Sequence, residues 1–130
     1  MDAKAGKILD LTYLNEISGG NESFQGTIIR QFIEQFPEEL QQIEVAITEG
    51  NMQRIKSLAH GIKSTVAYLG LGDKLHPYLH RMEKESATNE CPSHYEEDLQ
   101  ELKNVCSKAV HEAQQLIETF QKNSDLHNKN

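Results

Sequence analysis

The 130-residue sequence predicts an all-α fold: an antiparallel up-down-up-down four-helix bundle preceded by a short extra helix. Three observations predict it. Apolar residues recur at spacings of three and four along most of the chain. No segment alternates apolar and polar residues for long enough to make a strand. Glycine or asparagine sits where one apolar stripe ends and the next begins, and the links are short enough to make successive helices antiparallel.

The first helix is predicted from about Thr12 to Ser18, with Asp10 as N-cap and Gly19-Gly20 as its end. Asn21 caps the second, whose stripe is Phe24, Ile28, Phe32, Phe36, Leu40, Ile43 and Ile47. Pro37 falls inside that stripe, so a kink or split is expected there. Gly50 closes it and Asn51 caps the third helix, which runs to about Leu69. Gly70-Leu71-Gly72 breaks the chain. Asp73 can cap the fourth helix, with Pro77 in its first turn or at its true start. Residues 86–92 read as a loop, and Ser93 with Glu96 forms an S-x-x-E capping box for the last helix. That helix carries a heptad-like seam of Tyr95, Leu99, Leu102, Cys106, Ala109, Ala113, Leu116 and Phe120. The folded domain is expected over residues 8–122, and residues 123–130 as a polar, disordered tail.

Composition narrows the function classes. The formal net charge of −7 argues against nucleic acid and against anionic membranes as main partners. No apolar run approaches a membrane span. The N-terminal MDAKAGKILDL has no signal-like apolar stretch, so the sequence reads as cytoplasmic. Cys91 and Cys106 form no CxxC pair or zinc pattern and read as free thiols, Cys106 in the core.

The third helix is the informative one. Its stripe of Ile55, Leu58, Ala59, Ile62, Val66 and Leu69 marks the core side, and on a helical wheel His60 lies roughly 140° from the stripe centre. His60 therefore points outward. The segment from Asn51 to Gly70 carries Arg54, Lys56 and Lys63 and no acid, which leaves −10 for the rest of a chain whose net charge is −7. Gly61, Ser64 and Ala67 beside His60 are small, so a bulky group can approach. A neutral imidazole nitrogen is a competent nucleophile near neutral pH. Phosphoryl transfer needs in-line access and compensation of phosphate charge more than covalent help. Lys63, three residues on, can place an ammonium beside phosphate oxygens, and Lys56, four residues back, can do so more loosely.

The string Ala59-His60-Gly61-Ile62-Lys63-Ser64-Thr65-Val66-Ala67-Tyr68-Leu69-Gly70 resembles the signature of histidine-phosphotransfer (HPt) domains, A-H-x-L-K-(G/S), four free positions, an aliphatic residue and Gly. The resemblance extends upstream through Phe32, Phe36-Pro37 and Leu40, the Gly50-Asn51 turn and Ser57-Leu58. Downstream it continues through Leu75, Leu79 and the Met82-Glu83 pair, so that it covers roughly Leu11 to Phe120. It implies a bundle whose exposed His60 takes a phosphoryl group at Nε2 from a receiver-domain aspartyl phosphate and passes it to another receiver. Lys63 would be the phosphate-side cation, Ser64 the small residue that admits the receiver, and Gly70 the helix-ending turn. The partners implied are response-regulator receiver domains, including those of hybrid histidine kinases. Mg²⁺ is expected in the receiver, this chain holding no cofactor or metal of its own and acting as a monomer. Three positions depart from the pattern. Ser64 stands where many members have Gly. Asn51 stands where an acid is usual. Met82 stands where some members place a glutamine near the active histidine, so that polar contact is expected to be missing.

Other features carry less. His76 and His80 are spaced to chelate a metal on one helical face, but no third ligand is evident. His94 and His111 read as solvated. Glu38-Glu39 and Glu96-Glu97-Asp98 sit near helix starts, where they suit the macrodipole. Gly70-Leu71-Gly72 lacks the strand–turn–helix setting of a nucleotide loop, so the chain is expected to be a phosphocarrier and not a kinase. Two alternatives remain beside it: a non-catalytic helical adaptor that binds a partner through the bundle surface, and a metal-binding bundle.

Overall fold

The computed structural model describes residues 8–85 and 94–128. The described residues form five helices: α1 (Thr12–Ser18), α2 (Glu22–Glu49), α3 (Met52–Ala67), α4 (Gly72–Glu85) and α5 (His94–Asn128). α2 packs against α3 and α5, α3 against α4, and α4 more lightly against α5, while the short α1 rests on α2. The expected all-α bundle with an extra N-terminal helix is what forms. No helix among the described residues is long and apolar enough to cross a membrane.

Local chemistry sets the helix ends. Asn21 Oδ1 accepts the Phe24 amide and Asn51 Oδ1 accepts the Arg54 amide, each at 3.1 Å. α2 and α3 both end in a Schellman turn built on a glycine with positive φ. In the first, Gly50 has φ 67°, with Gly50 N–H donating to Ile47 O and Asn51 N–H to Ala46 O. In the second, Gly70 has φ 78°, with Gly70 N–H donating to Ala67 O and Leu71 N–H to Val66 O. Asp10 caps α1 from just outside it: its Oδ1 accepts Thr12 N–H at 3.0 Å and Thr12 Oγ1–H at 2.6 Å.

The core is one continuous layer of Leu14, Ile29, Phe32, Phe36, Ile43, Ile55, Ile62, Val66, Leu75, Leu79, Met82, Tyr95 and Leu102, with the small Ala59, Ala109 and Ala113 letting the helices approach. Tyr95 is wholly buried, and its hydroxyl donates to Met82 O at 3.3 Å, which ties α5 to α4. Cys106 is buried as expected, and burial pushes its thiol up to about 11. Cys91, Ser93 and the loop predicted over 86–92 lie outside the described residues.

Several expectations are corrected. α2 is unbroken through Pro37. Pro37 is exposed, so the carbonyl it deprives of a donor lies on the solvent side of the helix. Pro77 is in the second turn of α4, and Asp73 is a first-turn residue and not the cap. Phe24 is exposed, because the first turns of α2 bury Gln25, Gly26 and Ile29 instead. Gln25 can be buried because its amide donates to Asn15 Oδ1 at 2.7 Å and Ser18 Oγ at 2.9 Å, both on α1. Asp98 is buried and paired with Arg81 Nε at 3.4 Å, a role its place in an acidic run did not suggest. His94 is half-buried, edge-on to Tyr95. The α5 backbone stays helical to Asn128, through most of the segment predicted as a disordered tail. No glycine or proline interrupts that stretch, so nothing in the backbone ends the helix where the apolar seam ends.

Candidate functional site

The apolar stripe of α3 buries Ile55, Ala59, Ile62 and Val66 against the core and turns His60 outward. The His60 side chain is 74% exposed. Its ring is nevertheless held. Nδ1 lies 2.7 Å from Oε2 of Glu83, which α4 brings to the same side of the α3–α4 contact. The other carboxylate oxygen, Oε1, accepts from Lys63 Nζ. Hydrogen bonding from Lys63, then from His60, holds the Glu83 carboxyl below the usual carboxylate range. An ionised carboxylate can only accept, so Nδ1 carries the proton in this contact. The neutral ring then presents an unprotonated Nε2 to solvent.

The other sequence-predicted residues divide around this trio. Ser64 and Ala67 are exposed on the same outward stripe. Gly61 is partly covered, and a Cβ there would meet Glu39 Oε2 at 3.5 Å. Lys56 is exposed one turn N-terminal to His60, outside the hydrogen-bonded trio. Gly70 ends the helix as predicted and also does more: a Cβ there would lie 2.5 Å from the Asp10 backbone oxygen. On the α2 side, Thr65 Oγ1 donates to Glu39 Oε1 at 2.7 Å. Burial pushes the Glu39 carboxyl up, and the Thr65 hydrogen bond partly offsets this.

Two residues not predicted beside His60, Glu83 and His80, belong here. Met82 is wholly buried, so it does not face His60; its neighbour Glu83 does. The polar contact expected to be missing is therefore present, shifted by one residue and carried by a carboxylate. The available signal was charge: Glu83 is an acid on the helix that packs against the one uniformly basic helix. His80 lies on the same side of α4, its imidazole pushed below its ordinary range by partial burial, then by the charges of Lys63 and Lys84. Its ring stacks on His76 with centroids 4.9 Å apart. No group of three or more His, Cys, Asp or Glu side chains among the described residues is placed to hold a metal.

An apolar patch continues the face. Tyr68 is exposed eight residues beyond His60, about 12 Å along the helix. Tyr13 of α1 lies beside it with ring centroids 6.2 Å apart, and Ile17, one turn further along α1, is also exposed.

Searches of curated proteins and of solved structures returned no match. The family model for the Hpt domain matches residues 27–115, a span that takes in His60, Lys63 and Glu83. An outward histidine on a basic helix of an antiparallel bundle and a family match over well over half of the chain lead to one conclusion: the protein belongs to the Hpt domain family of phosphorelay phosphocarrier modules.

Proposed function

We propose that the protein is a phosphorelay intermediate in which His60 takes a phosphoryl group from the aspartyl phosphate of one receiver domain and delivers it to the aspartate of another. The observation that carries this reading is the arrangement of His60: Nδ1 held by Glu83 at 2.7 Å on a side chain 74% exposed. The Nε2 lone pair attacks phosphorus, the N–P bond forms, and the P–O bond to the receiver carboxylate breaks. The receiver aspartate leaves as a carboxylate. The imidazole becomes a phosphoimidazolium that keeps its proton on Nδ1, where Glu83 offsets the charge. In delivery the same bonds break and form in reverse, and the ring leaves as the neutral Nδ1–H tautomer. Lys63 is one turn from His60 and supplies a cation for the phosphoryl oxygens. Lys56 adds a looser positive charge. Ser64, Gly61 and Ala67 leave room for the incoming domain.

Mg²⁺ belongs to the receiver in this reading, which supplies the metal and most of the transfer chemistry. The carrier adds no ATP site and works as a cytoplasmic monomer. The receiver docks over His60 and the Tyr68, Tyr13 and Ile17 patch, because apolar contact must hold a partner against a carrier of net charge −7. The test is transfer from a phosphorylated receiver to wild type and to His60→Gln. The variant is expected to take no phosphate while the helical content stays unchanged. Equal labelling of His60→Gln overturns the assignment, and receiver binding that ignores the substitution and transfers nothing favours a non-catalytic adaptor.

A further inference from the structure

The residues that lead into α1 touch two elements remote from the His60 trio. The backbone amides of Ile8 and Leu9 both donate to the Glu112 carboxylate of α5, at 2.8 and 3.2 Å. The Asp10 amide then donates to Leu69 O at 3.0 Å, at the turn that ends α3. Asp10 also fills the space that a side chain at position 70 would need. Residues 8–11 therefore form a strap from the middle of α5 to the α3–α4 turn, with Ile8, Leu9 and Leu11 packed against the core on the way. The strap delivers the start of α1, and with it Tyr13 beside Tyr68. The rest of α1 is fixed separately, by buried Leu14 next to Tyr13 and, further along, by the Gln25 hydrogen bonds to Asn15 and Ser18.

We propose that Glu112 is a positioning residue for receiver docking: by clamping two successive strap amides it presets the α1 half of the docking face. The inference rests on the receiver-docking reading above. Charge-assisted hydrogen bonds to two adjacent amides hold the strap more tightly than neutral ones would. A preset surface binds more tightly than one ordered on contact, because the ordering cost has already been met within the fold. Glu112 sits on α5, away from the α3–α4 contact that holds His60, so its removal should alter encounter with the partner and leave the imidazole chemistry alone.

The experiment compares wild type, Glu112→Gln and Glu112→Ala as intact chains, with two phosphodonors and one partner-free measurement. The donors are a purified receiver domain carrying aspartyl phosphate, and phosphoramidate, which phosphorylates histidine without docking. The partner-free measurement is amide hydrogen exchange over residues 8–18. For Glu112→Ala, KM for the receiver is expected to rise about five-fold at unchanged kcat, with faster exchange in the strap. Glu112→Gln should fall between, since one oxygen can still accept, and labelling by phosphoramidate should be the same for all three. Faster exchange with an unchanged KM overturns the proposal, as does unchanged exchange. A fall in phosphoramidate labelling also overturns it, because Glu112 would then act on His60 or on the whole fold. Wild-type protein that takes phosphate from neither donor sinks the phosphorelay reading instead, and the exchange data still decide whether Glu112 holds the strap.

Discussion

Glu83 holds His60 and Lys63 at once, one carboxylate oxygen on the imidazole Nδ1 at 2.7 Å and the other on the lysine ammonium. The imidazole and the ammonium, which the proposed relay uses as nucleophile and phosphate-side cation, are thus set by a single side chain from the neighbouring helix.

Glu83→Gln is expected to slow receiver-driven phosphorylation by about ten-fold, since a neutral amide orients the ring less firmly and offsets less of the imidazolium charge. Nitrogen chemical shifts of the His60 ring report the same change, moving from one Nδ1–H tautomer to a mixture. The carboxyl is held below its ordinary 4.5, so its contribution to stability is complete above that pH and is lost as pH falls through the folded value. The stability difference between wild type and Glu83→Gln should therefore shrink below about 4.5 in acid titrations.

Lys63→Ala removes the proposed phosphate-side cation and leaves the Glu83 hydrogen bond to His60 in place. Transfer is expected to slow by about ten-fold or more, with a change in unfolding free energy under about 1 kcal/mol because the pair is partly exposed. Rapid-quench transfer kinetics beside a denaturant melt check both halves. An unchanged rate would remove Lys63 from the mechanism.

Glu39 is shifted the other way, its carboxyl raised by burial beside Thr65. A raised carboxyl favours the fold in its protonated form and loses that contribution as pH rises through the folded value. Glu39→Gln keeps an acceptor for Thr65 Oγ1 and drops the charge. It is expected to be more stable than wild type at pH 7 by a few tenths of a kcal/mol after solvent screening, with the advantage gone below about pH 4.5. Urea melts at pH 4 and pH 7 compare the two.

Gly70→Ala meets two penalties, a positive φ of 78° and an approach to Asp10 at 2.5 Å. A loss of about 2 kcal/mol is expected, more than the same change at Gly50, which has only the positive φ and open space around it. Paired urea melts of Gly70→Ala and Gly50→Ala test the comparison, and equal losses would mean that the strap contact adds nothing.

The elements most legible in the sequence are those set by local chemistry. Asn21 and Asn51 cap, Gly50 and Gly70 end helices, and the α5 seam from Tyr95 to Ala113 is buried as its spacing requires. The outward direction of His60 follows from α3 alone, for the same reason. Glu83 was not legible as a site residue because its contact joins positions 23 apart in sequence and depends on how α4 is rotated against α3. A rotation of one position would have exchanged it with Met82. The burial of Gln25 and Asp98 was hidden for a related reason, since each has a partner on another helix. The strap from Glu112 to Ile8 spans 104 positions and leaves no local trace.

The two nitrogens of the His60 ring look in opposite directions, and Glu83 stands at the Nδ1 edge. A carboxylate there cannot reach a water lined up behind phosphorus on Nε2, so it steadies the ring without being able to serve as a base for hydrolysis. With such a geometry a phosphoryl group on Nε2 would keep its charge between encounters. The clock of the relay would then run on how often receivers arrive, and the carrier itself would keep no time.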